Sequence, residues 1–365
     1  MEKEIVINGK EYILNRYPET QDKALRAWSN AEVLVLNFIQ DNPKKKIHLF
    51  NDRFGVWNCA LHEKQVETIW TYASQKKAIE SNLTSNNLSS EAVYKSPLDK
   101  LDNVELALVK IPKSIELFEL FLYQIQQGSN EQTEIVCGFM TKYFSPAYLK
   151  TAQKYFTVVE QSKAWKKARL LILKEPKKEI PVSTKDLVNT IKWNEGTLKQ
   201  YLGVFSSDRI DIGTQFLLEN LVVEDNEIQV LDVASGNGIL SYEVLQQNEK
   251  AYVTLVDDFN LAIESSKLNL PAEQARFICT DCMEGVEDDF FDLIVSNPPF
   301  HFEHENNIEV SLRLFQRIKD CLKHNGRFVM VANLHLNYIT HLEKLFRKVS
   351  VINRNSKFII YECRL

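Results

Sequence analysis

No run of eighteen apolar residues occurs in the 365-residue chain, so no stretch reads as a membrane-spanning helix. The opening Met1-Glu2-Lys3-Glu4 shows no signal-peptide pattern, and a cytoplasmic protein with no membrane partner is expected. Cysteine is scarce. The six present are scattered through both halves, which fits free thiols in a reducing compartment better than a disulfide framework. An excess of positive charge is also missing: the net charge is −5, so any nucleic acid contact must come from local basic patches. With 44% hydrophobic and 25% charged residues, the composition is that of an ordinary soluble globular protein, and the length suggests two domains.

A complete G-x-G-x-x-G phosphate cradle is lacking too. The nearest run, Leu231-Asp232-Val233-Ala234-Ser235-Gly236-Asn237-Gly238, follows a predicted strand and opens a helix, but Leu240 stands two past Gly238. Glycines here let the backbone approach a ligand closely. Taken alone, such a turn also serves plain strand-to-helix packing. It gains weight from Asp257, about 20 residues on, at the end of the next strand and placed for a ribose diol. Asp281 is expected to end the third strand, where a carboxylate can accept from an adenine amine, and Asn297 ends the fourth. Four polar residues at four consecutive strand ends mark the edge at which open α/β sheets bind ligands. Ordinary strand-ending turns explain any one of them, but not all four.

The most informative stretch is Ser296-Asn297-Pro298-Pro299-Phe300 after the apolar run 291–295. Two prolines cannot continue a ladder, and they fix an extended corner with little entropy left to lose. The Asn297 amide oxygen and the Pro298 carbonyl can then point at one spot, which suits a planar amine with two N–H donors. Phe300 offers a face for a flat ring. This suggests a pocket for an exocyclic amine about to be methylated; a plain Pro-Pro turn is the bland alternative. The terminal hairpin and this corner favour S-adenosylmethionine over a nicotinamide.

The organisation along the chain agrees. A hairpin is expected over 4–15 around Asn8-Gly9, and a helix over 22–40. Strands are expected over 46–51, 104–111, 134–140 and 167–173, the last as the final strand of its half, with helices over 115–125 and 147–156. Residues 174–185, polar with two prolines, read as a linker. Beyond it, helices are expected over 212–221, 239–247, 261–268, 309–322 and 338–346. Strands are expected over 228–233, 251–257, 275–281, 292–297, 327–333, 348–353 and 357–364. Only Arg354-Asn355-Ser356 separates the last two, too short for a parallel crossover, so they should pair antiparallel. Seven strands ending in a hairpin is the methyltransferase variant of the Rossmann plan.

Other motifs carry less. Cys279-Thr280-Asp281-Cys282 is a lone C-x-x-C without a second pair, and His301-Phe302-Glu303-His304 has no evident third ligand, so no metal is expected. His335 either touches substrate or caps the next helix. The run Lys163-Ala164-Trp165-Lys166-Lys167-Ala168-Arg169 interleaves an aromatic with four cations; it reads either as an RNA contact or as a protected strand edge.

With these residues assembled, the chain resembles the bacterial ribosomal RNA guanine-N2 methyltransferases with two tandem methyltransferase-like domains, nearest to the branch acting on large-subunit (23S) RNA. The resemblance covers nearly the whole chain. It rests on Val204-Phe205-Ser206 with Asp211-Ile212-Gly213, on Asn297-Pro298-Pro299-Phe300-His301, on Val331-Ala332-Asn333 through His335-Leu336, and on Asn355 through Lys357-Phe358. In the first half it rests on Asn51-Asp52-Arg53-Phe54-Gly55, Val109-Lys110-Ile111-Pro112-Lys113 and Ala164 to Arg169. The chain departs from the family at Ala234, where glycine is usual, and at Arg209, where a small residue is usual.

The resemblance implies an α/β protein of two tandem Rossmann-like methyltransferase domains. Residues 1–178 would be a degenerate one that binds RNA or serves structure. Residues 186–365 would be the catalytic, S-adenosylmethionine-dependent one, with a seven-stranded sheet ending in an antiparallel hairpin. The expected activity is methylation of a guanine N2 amine in 23S rRNA by a monomer. Adenine-N6 or glutamine-amide methylation, and a non-catalytic RNA-binding assembly protein, remain alternatives. Catalysis is assigned to Asn297, Pro298, Pro299 and Phe300. Cofactor binding is assigned to Phe205, Gly213, Asp232, Ala234, Gly236, Gly238, Asp257, Asp281, Cys282 and Asn297. RNA binding is assigned to Lys110, Lys113, Lys163, Lys166, Lys167 and Arg169. Lys110-Ile111-Pro112-Lys113 stands where the second half has Asn-Pro-Pro-Phe, so a decayed duplicate cannot form the amine pocket, yet Lys110 and Lys113 can face phosphate.

Overall fold

The structure, a computed structural model, describes every residue except 1, 21, 23, 90, 91, 208 and 299–307. The chain divides into two compact units, Met1–Leu187 and Val188–Leu365.

The first unit opens with the hairpin Glu4–Ile7 and Lys10–Ile13, turned at Asn8 and Gly9, both at positive φ as a two-residue hairpin turn requires. Its sheet holds β1 (Lys46–Phe50), β2 (Gln65–Ile69), β3 (Val93–Lys95), β4 (Val104–Lys110), β5 (Ser129–Met140), β6 (Phe156–Gln161) and β7 (Ala168–Pro176). Their spatial order is β3-β2-β1-β4-β5-β7-β6, parallel except that β7 runs against both its neighbours.

The second unit begins with a hairpin, Val188–Trp193 and Gly196–Tyr201, which the sequence reading does not anticipate. Its sheet holds β8 (Gln229–Val233), β9 (Tyr252–Asp257), β10 (Ala275–Cys279), β11 (Phe291–Ser296), β12 (Leu322–Asn333), β13 (Lys348–Arg354) and β14 (Phe358–Arg364). The order β10-β9-β8-β11-β12-β14-β13 repeats that of the first unit, with β14 the one antiparallel strand. Successive residues of the central strands face opposite ways: Val230, Leu293 and Val295 pack into one core, Leu231 and Ile294 into the other. Burial on both faces explains why these strands read as continuous apolar runs. It also leaves the strand ends as the place where polar groups emerge.

In the first unit, too, the structure differs from the sequence expectation. The helix expected over 22–40 is only Asn30–Phe38, because Ser29 and Glu32 form a capping box that fixes its start; the Ser29 N–H donates to Glu32 Oε2 at 2.7 Å. Strands β2, β3 and β6 were not anticipated, since β2 is mostly polar (Gln65, Glu67, Thr68) and β3 has three residues. The linker expected from 174 starts later: β7 runs to Pro176, and the Lys177 N–H donates to the Tyr155 carbonyl at 2.9 Å. Among the described residues, no helix is long and apolar enough to cross a membrane.

Candidate active site

A cleft opens at the carboxyl edge of the second sheet, walled by the loop after β8, by Phe205, Ser206, Arg209, Ile210, Asp211 and Thr214, and by Asn297. The loop after β8 takes a demanding path. Ala234, Gly236 and Gly238 all have positive φ, at 58°, 57° and 82°. Alanine in this region costs roughly 1–2 kcal/mol, so Ala234 is held there by its surroundings. A Cβ at Gly236 would meet nothing within 4 Å, because that side of the loop is open. Gly238 is needed for another reason: a Cβ there would come within 3.1–3.2 Å of Leu270, Ser266 and Leu255. It is a packing residue at the start of helix Ile239–Gln247, not a wall of the cleft.

Asp232 also proves to be beneath the cleft. It is fully buried, and its Oδ2 accepts from the Ser241 N–H (3.1 Å) and hydroxyl (2.8 Å), tying the loop to the helix that follows. Burial pushes its pKa up to about 7. Asp257 ends β9, and its two oxygens accept from the backbone N–H groups of Gly236 (3.0 Å) and Phe259 (2.8 Å). Burial raises its pKa to about 6, against the pull of those N–H donors. Each oxygen keeps a lone pair for a ligand hydroxyl. Asp281 does not end a strand: β10 stops at Cys279, and Asp281 and the exposed Cys282 lie in the turn beyond.

The remaining rim is built from the segment before helix Ile212–Leu218. Phe205 is 74% exposed at the cleft edge, and its carbonyl accepts from Gln200 Nε2 at 3.4 Å. Gln200 is fully buried, and its Oε1 accepts from Asn237 Nδ2 at 2.8 Å, so one side chain joins the rim to the glycine loop. Gly213 supports the wall from behind; a Cβ there would sit 3.0 Å from Phe358 and from Asp211 Oδ2. Exposed Arg209 adds a cation to the rim.

Asn297 lies one residue past β11. Its Nδ2 donates to Asp211 Oδ2 (3.2 Å) and to Thr214 Oγ1 (2.7 Å). A carboxylate accepts and never donates at neutral pH, so the amide nitrogen must be the atom facing Asp211. The amide oxygen therefore faces away, and it accepts from no described residue. Turning the amide over would set two acceptors against each other, with a desolvated acceptor alone costing about 1–3 kcal/mol. Pro298 is buried beside it. Pro299, Phe300, His301, Glu303 and His304 lie outside the described residues.

Sequence reasoning missed several of these groups. Asp211, Thr214, Gln200 and Asn237 act through side-chain bonds between distant segments, which no local pattern reveals. Ser235 is another: it lines the cleft, 5% exposed, and its hydroxyl has no partner among the described residues.

Sheet register allows the first unit to be compared position by position. Phe50 pairs with Val109 as Val233 pairs with Ser296, so Asn51 corresponds to Ala234, and Lys110 to Asn297. Asn51 has φ 59° against 58° for Ala234, and Gly55 has φ 77° where Gly238 has 82°. The backbone is kept while the chemistry changes. At the place of Gly236 stands Arg53, 4% exposed, with its Nη2 2.8 Å from Ser74 Oγ. At the place of Asp257 stands Trp70, with the Lys76 ammonium 3.5 Å above its ring. Lys110 Nζ lies 3.0 Å from Oε1 of the fully buried Glu32. That ion pair removes Lys110 from the expected phosphate contacts.

The basic run is a tight hairpin. Trp165 and Ala168 exchange both backbone hydrogen bonds at 2.8 Å, leaving Lys166 and Lys167 as the two turn residues at φ 46° and 64°. Their carbonyls are held by Asn30 Nδ2 and by the Thr141 N–H, both at 2.9 Å. Both side chains are exposed, as is Lys163, and Lys166 reaches over the Trp165 ring at 4.7 Å. Arg169 is half-buried, with its Nε bonded to the Ser162 carbonyl. Lys113 sits past β4, its carbonyl accepting from the Tyr148 hydroxyl at 2.7 Å.

Comparison with known proteins gives each unit a counterpart. Residues 2–178 match the RLMG N-terminal domain, and residues 195–362 match the methyltransferase small domain. Ribosomal RNA large subunit methyltransferase G of Psychromonas ingrahamii is 29% identical, over 99% of this chain and 98% of its own. Among solved structures, the T. thermophilus 16S rRNA guanine-N2 methyltransferase RsmC, in complex with AdoMet and guanosine, superposes with a TM-score of 0.77. That match spans 99% of this chain and 97% of the other at 19% identity, and shares the fold.

Proposed function

Since the chain belongs to the methyltransferases that join an RLMG N-terminal domain to a methyltransferase small domain, we propose that its second unit methylates the exocyclic N2 amine of a guanine in 23S ribosomal RNA, using S-adenosylmethionine. The observation that carries this reading is the Asn297 carboxamide, held so that its oxygen is left for an amine at the cleft.

The cleft suits the cofactor. Gly236 leaves room where any side chain would intrude, Asp257 is anchored with lone pairs to spare for a ribose diol, and Ser235 offers a buried hydroxyl that lacks a partner among the described residues. In this reading Asp281 and Cys282 lie toward the adenine, and Phe205 covers the site. When bound, the cofactor supplies a methyl on a sulfonium, which passes to the amine nitrogen as the C–N bond forms, the C–S bond breaks and its electron pair stays on sulfur. The part played by Asn297 Oδ1, with the Pro298 carbonyl as second acceptor, is orientation. Two acceptors on the amine hydrogens aim the nitrogen lone pair and stabilise the positive charge that grows there. Pro299 and Phe300 are assigned to the stiff corner and to base stacking. No strong base is required, since the resulting ammonium-like nitrogen readily yields a proton to water.

The first unit is assigned to RNA binding. Arg53, Trp70 and Lys110 stand where the second unit has Gly236, Asp257 and Asn297, so the groups proposed to hold a cofactor and an amine are absent from those positions. Lys163, Lys166, Lys167, Lys113 and Arg169 are the proposed phosphate contacts. A lysine pair at positive φ is poor turn chemistry, which favours a functional reason for its presence. The proposed setting is the cytoplasm, with the chain acting as a monomer; six cysteines in thiol form suit a reducing compartment.

Mass mapping of ribosomal RNA from cells with and without the protein should show one N2-methylguanosine in 23S rRNA that depends on it. An N6-methyladenosine in its place would redirect the substrate. Asn297→Ala should keep cofactor affinity and lose turnover by about a hundredfold or more; full turnover would refute the role given to Asn297. Cofactor affinity should tighten as pH rises through about 6, where Asp257 gains its charge, and level off above. Calorimetry across pH 5–8 checks this, and Asp257→Asn should flatten the profile. Replacing Lys166 with Asn and Lys167 with Gly should raise the melting temperature, by relieving about 1 kcal/mol or more of backbone strain. The same change should weaken RNA binding and reduce its salt slope by roughly 1.5–2. An unchanged salt slope would release the turn from RNA contact.

A further inference from the structure

Helix Ile212–Leu218 starts at Asp211, and its third residue is Thr214. Thr214 is 8% exposed, and its Oγ1 makes the shorter of the two bonds to the Asn297 amide, 2.7 Å against 3.2 Å for Asp211. Asp211 is also more heavily engaged. The same Oδ2 accepts from the Gly213 and Thr214 N–H groups, so three donors share one oxygen. The carboxylate decides which way the amide faces, and the hydroxyl does most of the holding.

We infer that Thr214 is a positioning residue for methyl transfer: its hydroxyl oxygen fixes the Asn297 carboxamide in the rotamer that turns Oδ1 toward the incoming amine. This rests on the role of Asn297 proposed above. The first unit supports it independently. There the third residue of helix Asn30–Phe38 is Glu32, and it holds Lys110, the residue that corresponds to Asn297. In both units the residue leaving the fourth strand is clamped from the third position of the same helix. The amide-bearing unit has a hydroxyl there, and the ammonium-bearing unit has a carboxylate. The clamp has thus kept its place and matched its chemistry to what it holds.

The terminal torsion of asparagine has a broad, roughly two-fold profile, so its aim is set by its partners. Without the hydroxyl, the amide keeps only an over-shared carboxylate oxygen, and Oδ1 spends less time on target. The loss is one of orientation and falls on kcat. Cofactor binding, assigned to Asp257, Gly236 and Ser235, is left alone.

The test uses the full chain. Thr214→Val keeps the shape and removes the acceptor; Thr214→Ser restores it. For each, kcat and KM on 23S rRNA are measured, with guanosine and S-adenosylmethionine affinities by calorimetry and the melting temperature. The valine variant should lose about tenfold in kcat, the worth of one hydrogen bond, and bind guanosine more weakly. Its cofactor affinity and melting temperature should stay near wild type, and serine should restore kcat to within about twofold. Should valine fail to fold, Thr214→Ala against Thr214→Ser makes the same comparison. An unchanged kcat in the valine variant overturns the inference. So does a parallel loss of kcat, cofactor affinity and melting temperature, or a serine variant as poor as valine. If wild type transfers no methyl group to ribosomal RNA, the proposed function itself has failed; if wild type is active, Asn297→Ala is dead and the valine variant is fully active, only the role of Thr214 has.

Discussion

An asparagine amide presents two nearly identical faces to its surroundings, and only its partners decide whether oxygen or nitrogen points outward. At Asn297 that decision is made by the Asp211 carboxylate, whose oxygens only accept, and reinforced by Thr214. The helix bearing Thr214 must therefore start at a fixed height against the end of β11. Gly213 makes this possible, because any side chain there would push the helix away from Phe358 on β14. The unusual strand order, with β14 reversed beside β12, is what places Phe358 under that helix. A single hydrogen-bond polarity thus constrains a cap, a glycine and a sheet.

The two units show how far a scaffold can be separated from its chemistry. Strand order, the left-handed residue after the first strand, the glycine that starts the next helix and the clamp from the preceding helix are all duplicated. The three positions assigned to ligand binding in the second unit carry Arg53, Trp70 and Lys110 in the first, each engaged by the protein itself. Asn51 is instructive. It takes the same backbone shape as Ala234, with a residue type better suited to it. The second unit, to which catalysis is assigned, carries the more strained choice.

Much of the second sheet was legible because its strands are buried on both faces and read as unbroken apolar runs. The terminal antiparallel pair followed from a three-residue connection, and both are as expected. Strand ends and glycines pointed to the edge at which the cleft opens. Local patterns failed where the controlling contact is distant. Asp232 and Gly238 looked like ligand groups but serve the loop from below, and Asp211 and Thr214 meet Asn297 across more than eighty residues of chain. In the first unit, β2 and β3 were invisible because polar or very short strands give no periodic signal. Lys110 looked like a free cation because nothing near it in sequence announces Glu32.

The central claim is that the Asn297 oxygen is the atom that receives the substrate amine. A crystal structure of the chain with S-adenosylhomocysteine and guanosine tests it directly. The account predicts Asn297 Oδ1 within hydrogen-bond distance, roughly 2.7–3.2 Å, of the guanine N2, with Nδ2 still on Asp211 and Thr214. A guanine seated elsewhere, or an amide turned so that its nitrogen faces the base, would contradict it.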